Sequence, residues 1–315
     1  MIAHVETREQ AVNIGVTARQ STNTITMFVV LILGTLVCWW HWILTLLVLA
    51  YSNEQYTHAF LVLPISLALA LLEGRSKHIK PNWSPFPALA LVLASLVSVL
   101  ITQLTLDPFA ETALEVGLAS LVVFWIGLVM LFFGVQAARQ LLFPLLLLFL
   151  IVPIPQFIVD KCIAGLQVAS SWAAFTLFRW AGYPVLKSGF ILTLPALEIE
   201  IAQQCSGIRS SLVLLISSLV LGHLYLRSRW GIVLLVAAAI PIAIAKNAVR
   251  IFTLSTLGMN VSPAFFYGRL HRNGGVVFFT LALVGIVGLI KLLKQAENWM
   301  ANRRVQRESS SIGPH

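Results

Sequence analysis

The sequence predicts an all-α polytopic membrane protein of about eight transmembrane helices, with an interfacial amphipathic helix and a short outer β-hairpin. Three observations carry this expectation. Of 315 residues, 58% are hydrophobic and only 10% charged, against roughly 25% charged in soluble domains. Several apolar runs approach or exceed the roughly 20 residues that cross a bilayer as a helix. The runs are continuous rather than alternating, so their backbone groups are to be satisfied within helices and not in a closed barrel.

The first run, 27–50, follows a polar tail and is too long for a signal-peptide core. It also lacks a clean cleavage pattern, so it is expected to remain as a span. Further spans are expected at 58–73, 86–106, 113–134, 139–156, 206–226, 231–257 and 274–294. The stretch 160–182, "DKCIAGLQVASSWAAFTLFRWAG", is long enough to cross. Lys161, Gln167, Ser170, Ser171 and Arg179 nevertheless recur at roughly helical spacing, the mark of a helix lying in the interface.

Charge decides how the chain threads. Arg8 and Arg19 precede the first span, Arg75, Lys77 and Lys80 follow the second, and Arg139 follows the fourth. Asp107 and Glu111 fall on the other side. If 160–182 does not cross, then Arg227, Arg229, Lys291, Lys294, Arg303, Arg304 and Arg307 share the basic side. The positive-inside rule then places both termini in the cytoplasm. The organisation expected is a cytoplasmic tail at 1–24, a transmembrane domain at 25–294 and a basic cytoplasmic tail at 295–315. The net charge of +9 resides in these connections and tails and does not signal nucleic acid. Three scattered cysteines give no disulfide framework.

This threading brings three chemically distinctive residues to the outer face. Cys205 sits at the mouth of the sixth span. Arg250 lies twenty residues after Trp230, roughly 30 Å at 1.5 Å per residue. His271, in "YGRLHRNGG", precedes the eighth span. A thiolate is the attacking form of cysteine, favoured at a helix N-terminus or beside a cation. A histidine can hold the thiol proton and deliver it to a leaving amine. An arginine can stabilise an oxyanion without losing its own charge. Together they are the parts of an acyl-transfer site. Lys246, Asn247 and Arg250 also form a polar cluster on one face of an apolar helix, and intramembrane ionisable clusters are functional by default. His58, at another outer helix end, rivals His271. Cys38 and Cys162 read as packing residues, and His41 and His223 as incidental.

Three blocks resemble the signatures of the exosortase/archaeosortase family: "LEIEIAQQCSGIRSSL" (197–212), "PIAIAKNAVRIF" (241–252) and "LHRNGGVVFF" (270–279). Two weaker blocks agree, "YSNEQYTHAFLVLP" (51–64) and "LLFPLLLLFLIVPIPQ" (141–156). The resemblance runs from about residue 40 to 294. It implies a multi-pass inner-membrane cysteine peptidase or transpeptidase of the Gram-negative type. Its partners would be exported proteins ending in a PEP-CTERM-type signal: a Pro-Glu-Pro motif, a transmembrane helix and a basic cluster. The family's cysteine, arginine and histidine map to Cys205, Arg250 and His271, as nucleophile, oxyanion stabiliser and general acid/base. The histidine fits the bacterial branch, since archaeal relatives carry an arginine there. A departure lies beside His58, where Ala59 replaces an expected glycine.

The residues themselves add a substrate expectation. Arg209, Arg269 and Arg272 cluster near the site, and one could hold the motif glutamate in bidentate fashion. Arg209 could equally anchor the helix mouth through backbone carbonyls. Asn247 and His58 complete the expected substrate-binding set. In "GFILTLPALEIEIAQQ" (189–204) two short strands around Pro195 would offer an edge to an extended peptide. A loop that merely caps Cys205 is the other reading. No metal site or cofactor is expected, since there is no His-Glu-x-x-His pair and no Cys/His ligand spacing. The rival function is a polysaccharide-export or transport component. It would call for mid-bilayer acids or paired broken helices, whereas the acids here lie mostly at helix ends.

Overall fold

The structure, a computed structural model, describes residues 23–77, 85–107, 110–195, 197–201, 207–262 and 275–311. The chain divides into two compact units, Met1–Pro155 and Gln156–His315.

Tryptophans organise the first unit. Helices α1 (Asn23–Cys38) and α2 (Trp40–Ser52) meet at Trp39 with a bend of 73°. The bend is held from outside the two helices. Trp39 Nε1 donates to the Gly117 carbonyl and to Ser120 Oγ, each at 3.1 Å. Trp125 Nε1 donates to Thr35 Oγ1 at 3.0 Å. Gly117, Ser120 and Trp125 all belong to α5 (Glu111–Gln140). The indole N–H groups of Trp39 and Trp125 thus find acceptors on α5 and α1, whereas the buried Trp42 Nε1 has no hydrogen-bond partner among the described residues. Helices α3 (Ala59–Ser76) and α4 (Pro85–Thr105) complete the long elements, and α4 packs along α5. Lys77, capping the end of α3, donates to the Gln140 carbonyl at the end of α5 and to Glu73.

The expected span at 139–156 takes another form. Helix α5 runs on to Gln140, kinking at Gly134 (φ 86°, ψ 164°). The next helix, α6 (Leu142–Leu147), has six residues and passes into a 3₁₀ turn, Leu148–Ile151. Together they rise about 17 Å, little more than half the hydrocarbon thickness. Pro153 and Pro155 follow, and proline removes the N–H a continuing helix needs. Among the described residues six helices are long and apolar enough to cross a bilayer. The number rises to eight if α1–α2 and the α6 stretch with α7 (Gln156–Trp180) each count as one broken span. The architecture is therefore the all-α polytopic one, with an interrupted fifth element.

In the second unit α7 is followed by a small sheet and three long helices. The sheet is antiparallel, ordered β1 (Leu186–Ser188), β2 (Ile191–Leu194), β3 (Leu197–Glu200). Leu194 pairs with Leu197 across the Pro195 turn, so the expected hairpin is present, and β1 adds a third strand. Alternation sets its faces. Leu192 and Leu194 pack with Ala174, Phe178, Ile201 and Ala248, whereas Thr193, Glu198 and Glu200 are exposed. Helices α8 (Ile208–Tyr225), α9 (Arg229–Asn260) and α10 (Gly275–Ser311) share a core of Leu214, Leu235, Ala239, Ala243, Ala282 and Ile286. At one end of this trio the Glu297 carboxylate of α10 accepts from the backbone N–H groups of Arg227 (3.2 Å) and Ser228 (2.8 Å). That end also carries Arg227, Arg229, Lys291 and Lys294.

The close contact of α5 with Trp42 gives a direct test. A Cβ on Gly117 would lie 2.6 Å from the Trp42 ring. Overpacking of this kind costs about 1–3 kcal/mol. Gly117→Ala is expected to lower the midpoint of thermal unfolding in detergent; an unchanged midpoint would show that the Trp42 side chain simply moves aside.

Candidate functional site

Helix α8 begins on a glycine in the left-handed region, Gly207, with φ 74° and ψ 18°. A residue bearing a Cβ pays about 1–2 kcal/mol there. The Gly207 carbonyl accepts the Ser211 N–H (2.9 Å) and both the Ser210 and Ser211 hydroxyls (3.0 and 2.8 Å). Space for a side chain is tight as well. A Cβ on Gly207 would stand 3.2 Å from Asn247 Oδ1 and 3.7 Å from Lys246 Nζ, both on α9. The turn is therefore tightly seated against α9.

Two further links tie this seat to α7. Asn247 Nδ2 donates to Ser170 Oγ at 3.1 Å. One turn earlier on α7, Gln167 Nε2 donates to the Ile201 carbonyl at 2.9 Å. On the other side Lys246 Nζ donates to Ser210 Oγ. These groups are deeply enclosed: Ser170 is 0%, Asn247 2%, Gln167 6% and Lys246 8% exposed. Buried polar groups call for hydrogen bonds, and here they link α7 to α9, α9 to α8, and α7 to the chain at Ile201. As a result the chain is anchored at Ile201 and again at Gly207, on either side of 202–206.

The expected site residues are found as follows. Asn247 lies at its centre. Arg250, half-buried, stands three residues further along α9. The span expected at 231–257 already ran past it, and α9 continues ten residues beyond it to Asn260. The extension has a purpose in packing. Asn260 Nδ2 donates to the Tyr183 hydroxyl at 2.7 Å, and Ile251, Phe252 and Met259 pack under the sheet. Arg209 is exposed, the second residue of α8. His58 belongs to the first unit, buried as the residue preceding α3, with Nδ1 2.9 Å from the Gln55 carbonyl. Cys205, Arg269, His271 and Arg272 lie outside the described residues.

The reading of α7 is corrected in one respect. Lys161 and Arg179 are exposed as an interfacial helix requires, but Gln167, Ser170 and Ser171 are buried. The physical reason is that an amide and two hydroxyls can be satisfied inside a bundle, whereas the charged groups cannot be so cheaply. The signal was present: these polar residues stand among alanines and a glycine, and small residues mark close helix packing. Ser210 and Gly207 carried no sign of their role beyond their place in a motif block.

Chemically, the layer gathers positive potential. Lys246 and Arg250 occupy one face of α9, and the N-terminus of the 18-residue helix α8 adds its dipole at the same place. An anion, either a thiolate or an oxyanion, is the species such an arrangement favours.

A family model described as transmembrane exosortase matches residues 39–288. No curated protein and no solved structure matches the chain.

Two substitutions probe the layer. Ser170→Ala removes the acceptor of a buried amide, a loss of about 1–3 kcal/mol. Gly207→Ala forces a strained turn against Asn247, at about 1–2 kcal/mol. Both variants are expected to melt below the parent protein in detergent. Equal melting would mean that the α7–α9–α8 contacts are not formed as described.

Proposed function

The chain belongs to the transmembrane exosortase family, and from that premise we propose that it cleaves PEP-CTERM-type sorting signals by thiol acyl transfer. Membership makes it a multi-pass membrane enzyme of the protease and transpeptidase kind that works on exported proteins. The finer reading assigns Cys205 as nucleophile, Arg250 as oxyanion stabiliser and His271 as general acid/base. The observation that carries it is the seat of Gly207 against Asn247. It places the chain two residues past Cys205 in contact with α9, three residues from Arg250.

In this reading the Cys205 sulfur attacks the scissile carbonyl carbon, and the carbonyl oxygen becomes an oxyanion facing the Arg250 guanidinium. Collapse of the tetrahedral species breaks the C–N bond. The departing amine of the downstream helix takes its proton from His271. A thioester to the exported protein remains. An incoming amine or water then attacks it, His271 takes the proton of that nucleophile, and Cys205 is released. Arg209, Arg269 and Arg272 are assigned to the glutamate of the Pro-Glu-Pro motif, and the exposure of Arg209 at the start of α8 suits that task. Asn247 and His58 are buried, so we assign them to holding backbone in place rather than to touching the peptide.

For localisation we propose the inner membrane, with tails 1–24 and 295–315 cytoplasmic, the domain 25–294 between them and the site at the periplasmic face. Two contacts support this threading. Lys77 joins the ends of α3 and α5, and Glu297 of α10 caps the start of α9, so the basic segments gather at common ends within each unit.

The decisive experiment uses a reporter ending in a Pro-Glu-Pro motif, an apolar helix and a basic tail. The parent chain is expected to remove the tail. Cys205→Ala is expected to slow removal by at least about 10³-fold, as nucleophile loss does elsewhere. Arg250→Lys should cost on the order of 10²-fold. Undiminished removal by Cys205→Ala at equal membrane levels would sink the nucleophile assignment. Failure of the parent chain to clip would return weight to a transport role. Arg209 is tested separately: Arg209→Lys should narrow the preference for Pro-Glu-Pro over Pro-Gln-Pro reporters severalfold, and an unchanged preference would remove it from recognition.

A further inference from the structure

Four cations collect at the end of the α8–α9–α10 trio that Glu297 closes. Arg227 and Arg229 flank Ser228 where α8 passes into α9, and both are exposed. The Glu297 carboxylate accepts from the backbone N–H groups of Arg227 and Ser228, and its Oε1 lies 3.0 Å from where a Gly231 Cβ would stand. That contact fixes the height of α10 against the connection. Lys294 and Lys291, also exposed, precede Glu297 by three and six residues, about 4.5 and 9 Å along the helix axis. At about 100° per residue they stand roughly 60° and 120° round from it. The two ammonium groups therefore fan out to one flank of the contact.

The bland reading is that these cations only mark the basic side of the membrane and reach into water. Three observations go further. The first is the want of an acid. From residue 201 to 307 the sequence holds one carboxylate, Glu297, and both its oxygens are engaged by backbone. Among the described residues the only salt bridge, Lys77 with Glu73, belongs to the first unit. The second is the exposure of Tyr225 and Trp230 on either side of the two arginines. Aromatic rings with a polar tip settle at headgroup depth, so this end stands where phosphates are. The third is the apolar surface that continues the belt. Leu224, Val233 and Leu292 are exposed next to the cations in sequence, and a soluble phosphate has no use for them. Guanidinium groups, moreover, match phosphate oxygens in bidentate fashion, and ammonium groups bind them as point charges.

We propose that this end of the trio is a binding site for an anionic phospholipid. Arg227, Arg229, Lys291 and Lys294 hold the headgroup phosphate, and the exposed leucines and valine receive its acyl chains. None of these residues belongs to the acyl-transfer machinery, so the site stands or falls independently of it.

The test uses the purified full chain in a neutral maltoside detergent. It is titrated with phosphatidylglycerol, or with phosphatidylcholine of the same acyl chains, while the midpoint of thermal unfolding is followed. A ligand that binds the folded form raises that midpoint. Phosphatidylglycerol is expected to act at a concentration at least about tenfold lower than phosphatidylcholine. Two paired variants remove the cations, Arg227→Gln with Arg229→Gln and Lys291→Gln with Lys294→Gln. Each should raise the half-saturating phosphatidylglycerol on the order of tenfold and leave the phosphatidylcholine response alone. Arg179→Gln with Lys187→Gln removes two cations beside the sheet, at the other end of α9, and should change neither. Equal action of the two lipids on the parent chain overturns the proposal, as does half-saturation unmoved in both paired variants. An equal loss in the Arg179 and Lys187 variant would reduce the effect to overall charge and is equally fatal. A shift as large with glycerol 3-phosphate would identify a site for soluble phosphate instead. Every comparison is made with and without lipid in one variant, so a lower starting midpoint does not hide the result. Should a pair fail to yield folded protein, Arg229→Gln and Lys294→Gln singly carry the same test at about fivefold each; no movement in either rules the site out.

Discussion

A primary amide enclosed by apolar helices has no water to fall back on, so Asn247 must find its contacts within the protein. Its nitrogen hydrogen-bonds to one neighbour, and its oxygen packs against the other. Its Nδ2 donates to Ser170 of α7, and its Oδ1 faces the bare Cα of Gly207 at the start of α8. Three helices are thereby held at one depth. The other polar links of this layer, Gln167 to Ile201 and Lys246 to Ser210, make sense only once that depth is set. Hydrophobic packing alone would hold these helices together without fixing their register, because it is non-directional. The directional bonds specify which turn of α8 meets which turn of α9.

The length of α9 follows from the same arrangement. From Asn247 it continues thirteen residues to Asn260, about 20 Å. That overhang supports the three-stranded sheet, whose inward residues pack on Ala248, Ile251 and Phe252. The sheet in turn delivers the chain to Ile201, where Gln167 takes hold of it. Ile201 and Gly207 are each tied to a neighbouring helix, α7 and α9 respectively. At the opposite end Glu297 closes the loop between α8 and α9 with two backbone hydrogen bonds, so α10 braces the scaffold far from the site.

The first unit solves the same polar problem with tryptophan. Trp39 buries its ring and sends its N–H to α5, and the half-buried Trp125 of α5 sends its N–H back to Thr35 of α1. Gly117 both accepts one of those bonds and leaves room for the Trp42 ring. The α1–α2 bend is thus a product of side-chain contacts with α5; neither proline nor glycine lies at the break.

By itself the sequence determined the membrane class, the long apolar helices, the ends at which basic residues collect, the hairpin around Pro195 and the family blocks around Cys205, Arg250 and His271. Each of these is a local or near-local property: hydropathy, alternation, charge between spans, or a short motif. Tertiary structure decided what local pattern could not. It turned Gln167 and Ser170 inward, broke the fifth element into α6 and a 3₁₀ turn, and added β1 to the hairpin. The reason is the separation of the partners. Ser170 and Asn247 are 77 residues apart, Ser210 and Lys246 36, Gln167 and Ile201 34. A hydroxyl or amide spaced along a helix reads alike whether it faces water or a second helix, and only the packed neighbour settles which.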